Sequence, residues 1–114
     1  LGGSVIYTKR ALDGLLTGQV ERPERLRGAS EPWARHLARA ARTHLDATWG
    51  LGEGGATGPT GNPYGDPAGH AWVGVAGPRE ATRHILTGND NRAANMVAFA
   101  IAGLDLLADT LRES

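Results

Sequence analysis

Cysteine is absent from this chain of 114 residues, so neither a disulfide nor a thiolate metal site can form. Aromatic residues are scarce, with three Trp, two Tyr and one Phe, so the core has to be built mostly from Leu, Ile, Val and Ala. Net charge is lacking as well: twelve cationic side chains balance twelve anionic ones, and the pI is about 7.1. That balance argues against a nucleic-acid binder, which presents a basic patch or stripe, and against a polybasic membrane anchor. No uninterrupted apolar run approaches the roughly 20 residues that span a bilayer, and no signal peptide is visible. These absences suit a cytoplasmic domain that meets neither nucleic acid nor membrane and needs no cofactor.

What is present fits one domain over residues 1–114. Ser4 to Thr8 is rich in β-branched and aromatic residues and reads as a strand after the Gly2-Gly3 turn pair. Lys9 to Leu16 reads as a short helix, ended by Thr17-Gly18, and residues 19–29 as a charged connection. Ser30 is a good helix N-cap, followed by Glu31 and Pro32 in a first turn that tolerates both. Trp33, Leu37, Ala41, Leu45 and Thr48 then recur at helical spacing, with Arg35, Arg39 and Arg42 opposite.

Trp49 to Glu53 reads as a short strand, and His70 to Ala76 and Thr82 to Thr87 as a hairpin. The last helix is expected from an N-cap at Asp90, with Ala93, Val97, Ala100, Ile101, Leu104, Leu107, Ala108 and Leu111 forming one apolar stripe. This order of elements predicts an α/β fold, a three-layer α/β/α sandwich with a mixed sheet. The chain opens on Leu1, so the domain's first strand and helix are expected to precede it, or a second copy to cover the face they leave. A homo-oligomer is expected on that ground.

Two stretches invite chemistry. The loop Gly54–Gly69 is rich in glycine and proline, which suits either a plain connection or a backbone cradle for an anion. It lacks the Gly-Lys-Ser/Thr ending of a P-loop, and no helix follows it as in a dinucleotide fingerprint. Asn89-Asp90-Asn91-Arg92 puts polar groups and a guanidinium at the positive end of a helix, which suits an anion or a simple cap. The four histidines promise little. His36 and His44 lie eight apart on one helix, too far to chelate one ion, and His70 and His84 belong to strands, so no metal site is expected.

Leu-Gly-Gly-Ser-Val-Ile-Tyr-Thr at 1–8, Ala-Thr-Gly-Pro-Thr-Gly at 56–61, Gly69-His-Ala-Trp-Val-Gly-Val-Ala-Gly-Pro78 and Gly88-Asn-Asp-Asn-Arg92 follow one another in a recognisable order. In this they resemble the C-terminal domain of the competence/damage-inducible CinA family. That family includes the nicotinamide mononucleotide (NMN) deamidases of NAD salvage, and the resemblance runs over essentially the whole chain. It implies an α/β/α sandwich and an amidohydrolase that converts NMN to nicotinic acid mononucleotide and ammonia. A serine would attack the amide, a lysine would act as base, and nearby donors would stabilise the oxyanion.

Transferred residue by residue, the family's site tyrosine corresponds to Tyr7 and its arginine to Arg92, beside Asn89 and Asp90. Its lysine falls on Leu12, which cannot take a proton, and Lys9 is the candidate replacement base. Its hydroxyl residue falls on Gly54. Glu53, Gly54, Gly55, Thr57 and Gly58 are the remaining candidates for contact with the substrate. The serine belongs to an Ala-Glu-Ser-Cys-Thr-Gly-Gly-like segment that these 114 residues do not contain. The resemblance therefore supports either a hydrolase of a linear amide with an altered site or a non-catalytic relative that binds a nucleotide or serves in dimerisation.

Overall fold

Ser30 starts the central helix by the mechanism its side chain suggests. Its backbone is extended, and its hydroxyl accepts the Trp33 N–H at 3.4 Å. The computed structural model describes residues 1–16 and 28–114, apart from the side chains of Lys9, Leu15 and Leu16. Its elements are α1 (Lys9–Leu16), α2 (Glu31–His44), β1 (Gly50–Gly55), β2 (His70–Ala76), β3 (Ala81–Leu86) and α3 (Arg92–Glu113). Helix α1 has the predicted bounds and is capped by Thr8, whose hydroxyl accepts the Ala11 N–H. The expected end at Thr17-Gly18 and most of the connection over 19–29 lie outside the described residues.

Helix α2 stops at His44 rather than near Thr48. The Leu45 N–H still reaches Ala41 O, but Asp46 takes a left-handed φ of 49°, which no α-helix continues.

The strands pair antiparallel in the order β1–β2–β3, in registers that include Glu53 opposite Val73 and Trp72 opposite His84. Side chains alternate across the sheet. Gly50, Gly52, Gly54, Trp72, Gly74 and His84 therefore share the face toward α2. Leu51, Glu53, Val73, Val75, Arg83 and Ile85 share the face toward α3.

The α2 side is a contact of backbone on backbone. A Cβ at Gly52 would lie 2.6 Å from Ala34 O and from Ala38 N, and one at Gly74 would lie 2.9 Å from Ala34 O. One at Gly50 would collide with Ala38 O. Ala34 and Ala38 have no exposed surface at all. Three side-chain-free positions on the sheet and two alanines on the helix let the layers approach closer than ordinary side chains allow.

The α3 side holds the aliphatic core, with Val73, Val75 and Leu106 at its centre and Trp49, Leu51, Ala81, Ile85 and Leu107 around them. Helix α3 buries Asn95, Phe99, Gly103, Leu106 and Thr110, and its N-cap is Asn91, not Asp90. Most of the stripe expected to face the core points outward, with Val97 59% exposed, Ile101 54% and Leu104 61%, while its Leu107 packs against the core. The helix is apolar on more than one side, so periodicity alone could not choose the side that the sheet would take. By length and composition α3 is also long and apolar enough to cross a membrane, which amends the expectation that no segment is. In the fold its Phe99–Gly103–Leu106 side lies on the sheet.

The α/β class holds, with α2 and α3 on opposite faces of the sheet. The mixed character expected of the sheet does not, since the three described strands are antiparallel throughout. Ser4–Thr8 forms no strand; the stretch is irregular, with Val5 and Tyr7 exposed. Strand propensity expresses packing against a neighbour, and among the described residues no ladder partner stands beside these.

The glycine strip gives a direct test. Gly52→Val is expected to destabilise the fold by about 1–3 kcal/mol, because the backbone of α2 must move away. Gly14→Ala, in the open part of α1, is expected to stabilise by about 0.5–1 kcal/mol. Urea unfolding midpoints of the two variants read both, and an unchanged midpoint for Gly52→Val would count against the close α2–sheet contact.

Candidate functional site

The glycine- and proline-rich loop is held in one shape by its own hydrogen bonds. Ala56 N–H donates to His70 O at 2.9 Å and Gly69 N–H donates to Ala56 O at 2.8 Å, which closes the loop at its base. Asn62 organises the tip: its Oδ1 accepts from the N–H of Tyr64 and of Asp66, and its Nδ2 donates to Asp66 Oδ2 at 2.9 Å. A plain flexible connection would not carry this network.

Asn95 fastens the loop to α3. Its side chain is 1% exposed; Nδ2 donates to Thr57 O at 2.9 Å and to Asn89 O at 2.7 Å, while Oδ1 accepts from the Thr87 hydroxyl at 2.7 Å. Arg92 adds a second tie, its Nη1 donating to Thr57 Oγ1 at 2.8 Å and to Gly58 O at 3.3 Å. Gly58 permits the approach: its φ is 103°, and a Cβ there would lie 2.6 Å from Asp90 O. An open cleft of about 640 Å³ results, with Pro59, Pro67 and Ala68 on the loop side and Leu86, Asn89 and Asp90 on the other. Asp90, on the cleft wall, leads into the N-terminus of α3 with its partial positive charge, and Arg92 in that first turn ties to the loop residues just before Pro59.

Thr57, Gly58, Asn89, Asp90 and Arg92 are thus brought together. The other candidates lie elsewhere. Gly54 faces α2, where a Cβ would sit 3.2 Å from Trp33 Cδ1, and Gly55 packs against the His70–Ala71 backbone. Glu53 is on the opposite face from Gly54, and its carboxyl reaches solvent through a crowded surround. That desolvation raises its pKa above the ordinary carboxylate value. Tyr7 is exposed in the irregular N-terminal stretch, and no hydrogen bond joins it to the cleft residues. The side chain of Lys9, the proposed replacement base, lies outside the described residues.

Two features escaped the sequence reading. Asn95 looked like an ordinary position in an apolar helix; a lone Asn among Ala, Met, Val and Phe was the available signal, since a buried amide needs partners. His70 and His84 also meet: His84 Nε2 lies 2.8 Å from His70 Nδ1. Pairing the two strands as a hairpin and counting register places both on one face. Among the described residues no group of three or more His, Asp or Glu side chains is placed to hold a metal ion.

Comparison with known proteins gives one consistent result. The family model for the CinA C-terminal domain matches residues 1–111. A CinA-like protein from Anaeromyxobacter sp. strain Fw109-5 is 42% identical over 81 residues, covering 69% of this chain and 20% of that protein. One from Anaeromyxobacter sp. strain K is 34% identical over 108 residues, covering 93% of this chain and 26% of that protein. The chain thus spans about a fifth to a quarter of the length of these curated relatives. Among solved structures, a CinA superfamily protein from Escherichia coli superposes with a TM-score of 0.70 at 28% identity, covering 89% of this chain and 60% of that one. The competence damage-inducible protein A from Klebsiella pneumoniae gives a TM-score of 0.75 at 20% identity, over 93% of this chain and 66% of that one, a likeness of fold.

Two measurements check the geometry. Asn95→Ala strands one hydroxyl and two carbonyls in partly buried positions and is expected to cost about 2 kcal/mol in a urea melt. Glu53→Gln is expected to raise the unfolding midpoint at neutral pH. A carboxyl whose pKa is raised by folding destabilises the fold once ionised, so the gain should fade as pH falls through the carboxylate range. A gain that persisted in acid would mean that desolvation of the ionised carboxyl is not its source.

Proposed function

This chain belongs to the CinA C-terminal domain family, and on that premise we propose that its cleft binds a mononucleotide for amide hydrolysis of the NMN deamidase type. The observation that carries the reading is the pairing of Arg92 and Asn95 with the 57–58 loop. It frames a cleft whose wall leads into a helix N-terminus, with an arginine on that first turn, an arrangement suited to phosphate. In this reading Arg92 holds or orients the phosphate. Backbone N–H groups of the loop line the pocket where the ribose and amide lie, and Asn89 and Asp90 close the other side. The nucleophilic serine is assigned to a family segment that these 114 residues do not include, so the chain contributes the binding part of the site.

A second reading, a non-catalytic nucleotide binder, draws on two positions. Leu12 offers no base where the family has lysine. Gly54 lies against Trp33, so a hydroxyl-bearing side chain there would press on the indole.

Calorimetry with NMN and an ammonia-release assay separate the readings. Binding with turnover is the expected result. Binding without turnover favours the second reading, and the absence of both overturns the two together. Arg92→Ala is expected to weaken NMN binding about 10- to 100-fold, the value of a charge-assisted hydrogen bond, with Arg92→Lys intermediate.

A further inference from the structure

Helix α3 has a second apolar face, turned away from the domain. Val97, Ile101, Leu104, Ala108 and Leu111 follow one another at steps of four, three, four and three residues, the a/d repeat of a helix that packs lengthwise on another helix. At about 100° per residue, every side chain from Ala93 to Leu111 that falls within about 60° of Leu104 is apolar. The sheet takes the opposite side of the helix, through Phe99, Leu106 and Thr110. Val97, Ile101 and Leu104 are each more than half exposed, and Leu111 is 45% exposed. In a monomer this seam stands in water along about four turns.

The two edges of the face differ in charge. Asp105 and Arg112 stand one heptad apart on one edge, and both are exposed. Among the described residues no ion pair engages Asp105, and Arg112 contacts only Asp109 of its own helix. The other edge carries Ala100 and Leu107 and no charge. When two such helices pack antiparallel, like edges meet; when they pack parallel, unlike edges meet. An antiparallel copy therefore sets Asp105 against Arg112 of the second copy, and the two-fold axis makes that pair twice. The same register puts Ile101 across from Leu111 and Leu104 across from Ala108. A parallel copy would instead set Asp105 against an apolar edge, with no partner for its charge.

A lipid surface fits this face less well. Helices that lie on membranes flank the apolar side with many Lys and Arg, whereas here one Asp and one Arg flank it and the reverse side is held by the sheet. To cross a bilayer, α3 would have to abandon the sheet and carry Asp105 and Asp109 into hydrocarbon.

We propose that this face of α3 is the contact between two copies of this chain, paired antiparallel about a two-fold axis and flanked by the Asp105–Arg112 pairs. The overlapping strip is about 24 Å long and roughly 15 Å wide, on the order of 400 Å² per copy. That is about half of the roughly 800 Å² per partner that a standard stable complex buries, so the two copies exchange, with dissociation in the micromolar range.

Sedimentation velocity of the protein from about 1 µM to about 1 mM brackets that range and should show a monomer–dimer equilibrium. Leu104→Glu should stay monomeric throughout. Its melting temperature at low concentration, where the wild type is also monomeric, should be unchanged, because the side chain it replaces is 61% exposed. Asp105→Arg should weaken pairing about 10-fold, and adding Arg112→Asp should restore most of the loss, since the exchange rebuilds each pair with its signs reversed. A wild-type monomer at every concentration overturns the proposal. So does a dimer that Leu104→Glu leaves intact, or a double variant that pairs no better than Asp105→Arg alone. Flotation with phosphatidylglycerol vesicles tests the other occupant: a chain that remains monomeric and rises with the vesicles assigns the face to lipid and overturns the proposal.

Discussion

The approach of α2 to a strip of glycines is the contact on which the rest of this domain depends. Gly50, Gly52 and Gly74 remove side chains from one sheet face, and Ala34 and Ala38 remove them from the helix. Dense packing of backbone on backbone leaves little tolerance for volume, so the position of α2 on the sheet is closely determined. Everything at the end of the sheet inherits that position. Trp33 lies against Gly54, and the bend before α2 presents the Ala29 carbonyl to His70.

The opposite face works differently. There Val73, Val75 and Leu106 supply ordinary aliphatic burial, and the first turn of α3 meets the loop through Arg92 and Asn95. Asn95 converts that meeting into a fixed geometry by engaging three groups from two segments. Such a buried, satisfied polar group specifies one arrangement, whereas apolar packing alone would tolerate several. Arg92 repeats the tie at the surface, where solvent weakens it. Ion pairs elsewhere act as fasteners. Arg39 grips both carboxylate oxygens of Glu80 and holds that carboxyl below the usual carboxylate range, linking α2 to the β2–β3 turn.

Much of the fold was legible. The bounds of α1 and β2 were as expected, β1 and β3 were displaced by one or two residues, and the β2–β3 hairpin followed from its turn. The misjudged parts share a cause. Ser4–Thr8 has strand propensity but no ladder partner among the described residues, and the outward part of the α3 stripe is as apolar as the side that is buried. Propensity and periodicity describe what a segment can do against a neighbour, not which neighbour it has. The candidate site divides along the same line. Thr57, Gly58, Asn89, Asp90 and Arg92, singled out because the loop and the helix start carry local signals, lie together in the fold. Gly54 and Glu53 were grouped with them by adjacency in sequence, although alternation along a strand sends them to opposite faces.

The sequence by itself determined the class of fold, the family, the cap at Ser30, and the glycine content that permits close layers. These follow from interactions within a few residues or from motif order. Only the tertiary structure decided which side of α3 meets the sheet, that a lone Asn in that helix fastens the loop, and that His70 and His84 form a hydrogen-bonded pair. Each of these depends on contacts between residues far apart in the chain, where register and helix rotation, not composition, set which atoms meet.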